Sequence, residues 1–209
     1  MEPDTYPVQF GNDYPDRELD RVTSFFRIFT AIPIIIVLAT VSGSTWQWRS
    51  DQAATAVAGA GGLLFLGPLL MIVARQKYPR WWFDWNLEFQ RFGNRVAAYL
   101  ALTNDVYPST DDHQSVYLDY PYPDVTRDLN RWLPLVKWFL AIPHYVVLLA
   151  LNVAAFLAVF AAWFAILFTG RYPHELFRFV ESVFRWNNRV VGYAFTLVTD
   201  RYPPFRLHP

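Results

Sequence analysis

From Trp138 to Gly170 the chain runs 33 residues without a charged side chain. An apolar run of about 18 residues or more is long enough to cross a hydrocarbon core of about 30 Å. A second uncharged run, Ala53 to Ala74, has 22 residues, and Phe25 to Val41 is apolar apart from Arg27. These runs predict a mainly α, integral membrane protein.

The longest run is itself a difficulty. As one helix it would extend for about 50 Å, too long for a single untilted crossing. With Lys137 snorkelling to the interface, two spans of about 16 to 19 residues fit on either side of Asn152. The sequence therefore predicts a tight hairpin turning near Asn152. In the first half, "SGSTWQWRSDQ" separates Phe25–Val41 from Ala53–Ala74 as a loop, which gives a second hairpin and four membrane spans in all.

Internal likeness supports this count. "VQFGNDYPD" at Val8–Asp16 resembles "VYLDYPYPD" at Val116–Asp124, and Ala31-Ile32-Pro33 corresponds to Ala141-Ile142-Pro143. Arg21 and Arg27 correspond to Arg131 and Lys137, and Asn94-Arg95-Val96 to Asn188-Arg189-Val190. Each half closes on an Asp followed by Tyr-Pro, at Asp105 and Asp200. The predicted organisation is a parallel duplication, residues 1–108 and 109–209, joined in one membrane domain. Pro33 and Pro143 are its candidate hinges.

Charge sets the expected orientation. With two hairpins, the tips carry one basic residue, Arg49, and the other 17 lie on the opposite side. An excess of Lys and Arg marks the cytoplasmic side. This predicts a multi-pass protein of the inner (cytoplasmic) membrane with both termini cytoplasmic. The mixed, acidic first 24 residues do not read as a cleavable signal.

After each hairpin comes a basic-aromatic stretch, "RWWFDWNLEFQRFGNR" at Arg80–Arg95 and "LFRFVESVFRWNNR" at Leu176–Arg189. Charge on one face and aromatic bulk on the other is the pattern of a helix lying in the headgroup plane. The candidate lipid- or partner-binding residues are Arg80, Trp81, Trp82, Trp85, Arg91, Arg95, Arg178, Arg185, Trp186 and Arg189. Residues 94–105 and 188–200 fit helix or strand equally, and "VQF" and "VYL" are extended segments available to pair as a small cytoplasmic sheet. Of the 15 prolines, eight follow a tyrosine, which reads as an interfacial ring with a stop behind it.

Chemistry is sparse. There is no cysteine, which excludes disulfides and thiolate metal sites. A net charge of zero gives no support to a nucleic-acid partner. His144 and Asn152 are the candidate polar residues within the membrane, but the counterpart of His144 is Ile34 and no span holds a carboxylate, so a structural role is expected. His113 beside Asp111 and Asp112 reads as solvated loop. Neither a metal nor a cofactor is expected. The repeated charges, with Asp105 and Asp200, are expected to form ion-pair networks that tie each half together.

"YPDRELDRVTSFFRIFTAIP", "KWFLAIPHYVVLL" and "FAILFTGRYPHELFRFVESVFRWNNRVVGYAFTLVTDRYPPF" resemble, over nearly the whole chain, a prokaryotic membrane-protein family known as domain of unknown function 4389. Its most specific phrases, Ala-Ile-Pro-His and Thr-Gly-Arg-Tyr-Pro, lie in the second half. The resemblance implies membrane topology and carries over no catalytic residue. The expected function is non-enzymatic: association with anionic lipid or a larger membrane complex, as a homo-oligomer or a subunit. The alternatives are an oligomeric channel or transporter subunit and, third, a lipid-modifying or cofactor-binding enzyme acting through His144.

Overall fold

In the computed structural model, which describes residues 6–15, 17–42, 60–110, 112 and 114–208, the long uncharged run is one continuous helix and not a hairpin. The elements in chain order are β1 (Gln9–Asn12), α1 (Arg21–Phe25), α2 (Arg27–Val41), α3 (Ala60–Arg75), α4 (Arg80–Leu100), β2 (Val116–Asp119), α5 (Pro134–Leu140), α6 (Ile142–Thr169) and α7 (His174–Ala194). The loop tip with Arg49 lies outside the described residues, as do Asp16, Asp111 and His113.

Asn152 does not turn the chain because its amide is satisfied within the helix and beside it. Its Nδ2 donates to the Leu148 carbonyl at 2.8 Å, and it exchanges hydrogen bonds of 3.3 and 3.1 Å with the amide of Asn187 on α7. The helix ends at Gly170, whose left-handed backbone (φ 73°) costs no Cβ clash and whose N–H returns to the Ile166 carbonyl at 2.7 Å.

Among the described residues, α6 alone is long and apolar enough to cross a membrane; Arg27–Val41 and Leu66–Arg75 are shorter apolar helices. The architecture of two hairpins and four spans is therefore overturned. Neither proline lies between two membrane-length helices among the described residues. Pro143 occupies the first turn of α6, where an N–H would be unsatisfied anyway, while Pro33 lies inside α2. The breaks fall at Phe26 and Ala141 instead.

Three layers organise the described residues. β1 and β2 pair antiparallel, Phe10 opposite Leu118, so the two extended segments form a small sheet. Beneath it lie α4 and α7, both fully helical through residues 94–100 and 188–194, joined where the Asn94 and Asn188 amides exchange two hydrogen bonds of 2.8 Å. The strands lie crosswise, β1 on α7 and β2 on α4. On the far side, α6 packs along α7 and α2 along α4.

Side-chain periodicity explains the layering. On α4, Phe83 and Leu87 face the sheet, while Phe92, Val96 and Tyr99 take Ala31, Ile34 and Leu38 of α2. On α7, Phe184 meets Phe10 of β1, and Val180, Val183, Trp186 and Val190 take Ala155, Ala158, Leu148 and Ala141. The alanines permit close approach of the two helices. Each of α4 and α7 closes on a buried leucine in the left-handed region, Leu102 (φ 62°) and Leu197 (φ 57°), a strain of about 1 kcal/mol or more apiece that core packing offsets.

Candidate functional site

The basic-aromatic residues separate into three groups by what they touch. Arg80, Trp81, Trp85 and Arg178 reach solvent. Arg91 and Arg185 are half-buried clamps: the Nε of Arg91 donates to the Leu118 carbonyl at 2.8 Å, and that of Arg185 to the Phe10 carbonyl at 3.1 Å. Their remaining nitrogens pair with Glu88 and Asp119, and with Glu181. Arg95, Trp186 and Arg189 are buried, the arginines donating to the carbonyls of Ser109 and of Arg206 and His208. These buried and clamping residues hold strands and loops and offer no surface to a lipid. An amphipathic pattern specifies a polar face without saying whether water or backbone covers it.

The exposed group is concentrated at the start of α4. Pro79, with an extended backbone, ends the preceding segment and α4 begins at Arg80. The Arg80 guanidinium lies 4.9 Å from the Tyr122 ring and 3.1 Å from Asp84. Trp81, 68 % exposed, stacks on Trp82 with ring centroids 5.1 Å apart. Trp82 closes directly over Gly67 of α3, where a Cβ would stand 1.9 Å from the indole. Trp85 stacks on Phe89 at 5.7 Å. The ladder thus borders α3, whose Leu66 and Leu70 are exposed. A cation, indole N–H groups and apolar surface meet at one edge, as an amphipathic interface requires. At the start of α7, Arg178 has only Glu175, 3.8 Å away, and no tryptophan.

His144 lies wholly buried outside this edge. Its Nδ1 accepts from the Trp186 indole N–H at 3.1 Å, its ring stacks on Phe205 at 3.9 Å, and Tyr202 lies 4.8 Å away. It fastens the C-terminal segment to α6. Ile34, at the corresponding place in the first half, packs with Phe92, which corresponds to Trp186. One apolar pair is replaced by one hydrogen-bonded pair, and comparing Phe92 with Trp186 would have exposed this in the sequence. Among the described residues no cluster of three His, Asp or Glu side chains is placed to hold a metal.

Two ion pairs close the helix starts. Arg27 meets Asp105 at 2.5 Å beneath the Tyr99 ring, and Lys137 meets Asp200 at 2.6 Å beneath the Tyr193 ring. The same carboxylates accept the backbone N–H of Asp20 and of Asn130. Burial pushes the Lys137 pKa down, opposed by Asp200, and its Nζ also donates to the Thr199 carbonyl at 2.7 Å. Arg95 and Arg189, repeated charges expected in these networks, instead hold backbone carbonyls.

By fold and surface this is a mainly helical protein with a small sheet on one side and a membrane-length apolar helix on the other. Residues 132–206, from just before α5 through the C-terminal segment, match the model of a family described as a domain of unknown function, DUF4389. The resemblance expected over nearly the whole chain is thus matched on its second half. No curated protein and no solved structure matches the chain.

Proposed function

We propose that this is a non-catalytic, membrane-associated protein that engages anionic lipid headgroups with the exposed start of α4, at the cytoplasmic face of the inner membrane. The observation that carries the reading is the uninterrupted apolar exterior of α6, where Val146, Val153, Phe156, Leu157, Phe160, Phe164 and Phe168 are all exposed. A surface of that size exceeds what a soluble monomer ordinarily presents. Arg80, Trp81 and Trp85 stand at the start of α4, the helix that carries α2, beside the exposed Leu66 and Leu70 of α3, where a headgroup would lie. The tandem duplication belongs to the same reading, supported by the paired Arg27–Asp105 and Lys137–Asp200 contacts and the Asn94–Asn188 exchange.

The test is flotation of the purified protein with phosphatidylcholine vesicles, with and without phosphatidylglycerol. A basic residue near an anionic surface contributes about 1 kcal/mol, so Arg80→Ala lowers affinity for the anionic vesicles about fivefold. Arg91→Ala, whose guanidinium is occupied by Leu118, Glu88 and Asp119, leaves the anionic preference intact while lowering stability. Equal affinity of the Arg80 variant and wild type for both vesicles would refute the headgroup assignment.

A further inference from the structure

We infer that α6 lies along the plane of one membrane leaflet, its outer face among the acyl chains, and does not cross the bilayer. This rests on the membrane association proposed above and fixes its geometry. α6, at 28 residues, extends for about 42 Å, which is sufficient for a crossing. What it carries with it decides the matter.

α7 accompanies α6 over its whole length. Trp186, Val190 and Ala194 pack on Ala141 and Leu148 at one end, Val180 and Val183 on Ala155 and Ala158 in the middle, and Phe177 clusters with Ala162 and Ile166 at the other end. A crossing by α6 therefore takes α7 through the bilayer as well, with Glu181 and Arg185 on its central turns. It also takes the sheet. Phe184 packs in the cluster of Ala155 and Ala158 and touches Phe10 of β1, so the strands lie level with the middle of α6.

Among the described residues the sheet has only two strands, with arginines rather than further strands on the Phe10 and Leu118 carbonyls, and the Asp119 side chain on β2 is 73 % exposed. At the bilayer centre a charged side chain costs about 2.5–3.5 kcal/mol even on the mildest scale, and each unpaired backbone group several more. The in-plane arrangement incurs none of these costs. The sheet and α6 occupy opposite faces of α7, so the strands stand farther from the lipid than one helix-packing distance of about 8–10 Å.

α2 extends the same face. It packs on α4 opposite β2, as α6 packs on α7 opposite β1, and leaves Ile28, Phe29, Ile32, Ile35 and Ile36 exposed. Phe25 of α1 stacks on Trp163 of α6 at 6.0 Å, and the Trp163 indole donates to the Ser24 carbonyl at 3.1 Å, which ties α6 to the short helix that leads into α2.

The chain has no cysteine, so single-cysteine variants take one label each. Val146→Cys, Leu157→Cys and Phe164→Cys lie along the outward line of α6 and change exposed side chains; Val153→Cys replaces any of them that fails to fold. Each full-length variant is spin-labelled, reconstituted in phosphatidylglycerol–phosphatidylcholine vesicles, and its depth read by power saturation. The in-plane helix gives all positions the same depth within a few ångströms. A crossing helix separates Val146 from Phe164 by about 27 Å along the normal, with Leu157 deepest, and that result overturns the inference while leaving membrane association standing. Labels that all remain in water would overturn the membrane reading itself.

Discussion

At the residue scale, His144 shows how one polar side chain is kept inside an apolar layer. It is held by a hydrogen bond from the Trp186 indole, by a second with the Pro203 backbone and by the rings of Phe205 and Tyr202. His144→Ile leaves the buried Trp186 N–H without its acceptor, and Trp186→Phe leaves Nδ1 without its donor. Each change costs about 1–3 kcal/mol, the desolvation of an orphaned group. The double variant removes both groups and restores the Ile34–Phe92 combination found in the other half. Its loss in denaturant-induced unfolding is expected to fall short of the sum of the singles by about 1–2 kcal/mol. Strict additivity would mean that the two residues are not coupled, and the account of His144 as a structural pair would fail.

At the scale of elements, α7 is fitted closely to β1 where Gly192 meets Val8. A Cβ on Gly192 would stand 2.6 Å from Cγ2 of Val8, the residue before β1, a collision that Val8 must move to relieve. Gly93, on an open side of α4, would gain a Cβ with no atom within 4 Å. Gly192→Ala is thus expected to lower unfolding stability by about 1–3 kcal/mol, and Gly93→Ala to raise it by about 0.5–1 kcal/mol through helix propensity. Circular dichroism through a denaturant series measures both, and the opposite signs separate packing from propensity. The amphipathic α4 and α7 and the pairing of the extended segments were legible in the sequence because each follows from a local period. The continuity of α6 was legible too, though Asn152 concealed it. Ala141, His144, Leu148, Ala155, Ala158, Ala162 and Ile166 keep one helical phase across that residue, which a turn would have reset. What periodicity could not supply was the occupant of each polar face: Arg91 and Arg185 look identical to lipid-binding arginines until the strands beneath them are placed.

For the whole molecule, four of the eight tyrosines that precede prolines are buried joints rather than interfacial anchors. Tyr6, Tyr78, Tyr120 and Tyr172 each precede a proline at an element boundary, and all four rings are buried. The Tyr6 hydroxyl donates to the Arg201 carbonyl at 3.1 Å and that of Tyr78 to the Thr196 carbonyl at 2.9 Å, so the joints of one half lock onto the end of the other. Burial pushes the pKa of all four phenols far above the usual value near 10. In the unfolded chain they ionise normally, so between that value and their raised folded values the unfolded state holds fewer protons. Their contribution to stability is complete below about pH 10 and declines as pH rises beyond it. Lys137 acts in the opposite sense: its lowered pKa means that the folded state loses its proton first, so stability lost on charging Lys137 is regained as pH rises towards the normal lysine value. Four phenols outweigh one amine, and net alkaline unfolding is expected. In detergent, titration of tyrosinate absorbance should show these four phenols ionising only in a cooperative step that coincides with loss of helix. Smooth ionisation of every tyrosine while the helix signal persists would show that the joints are open to water.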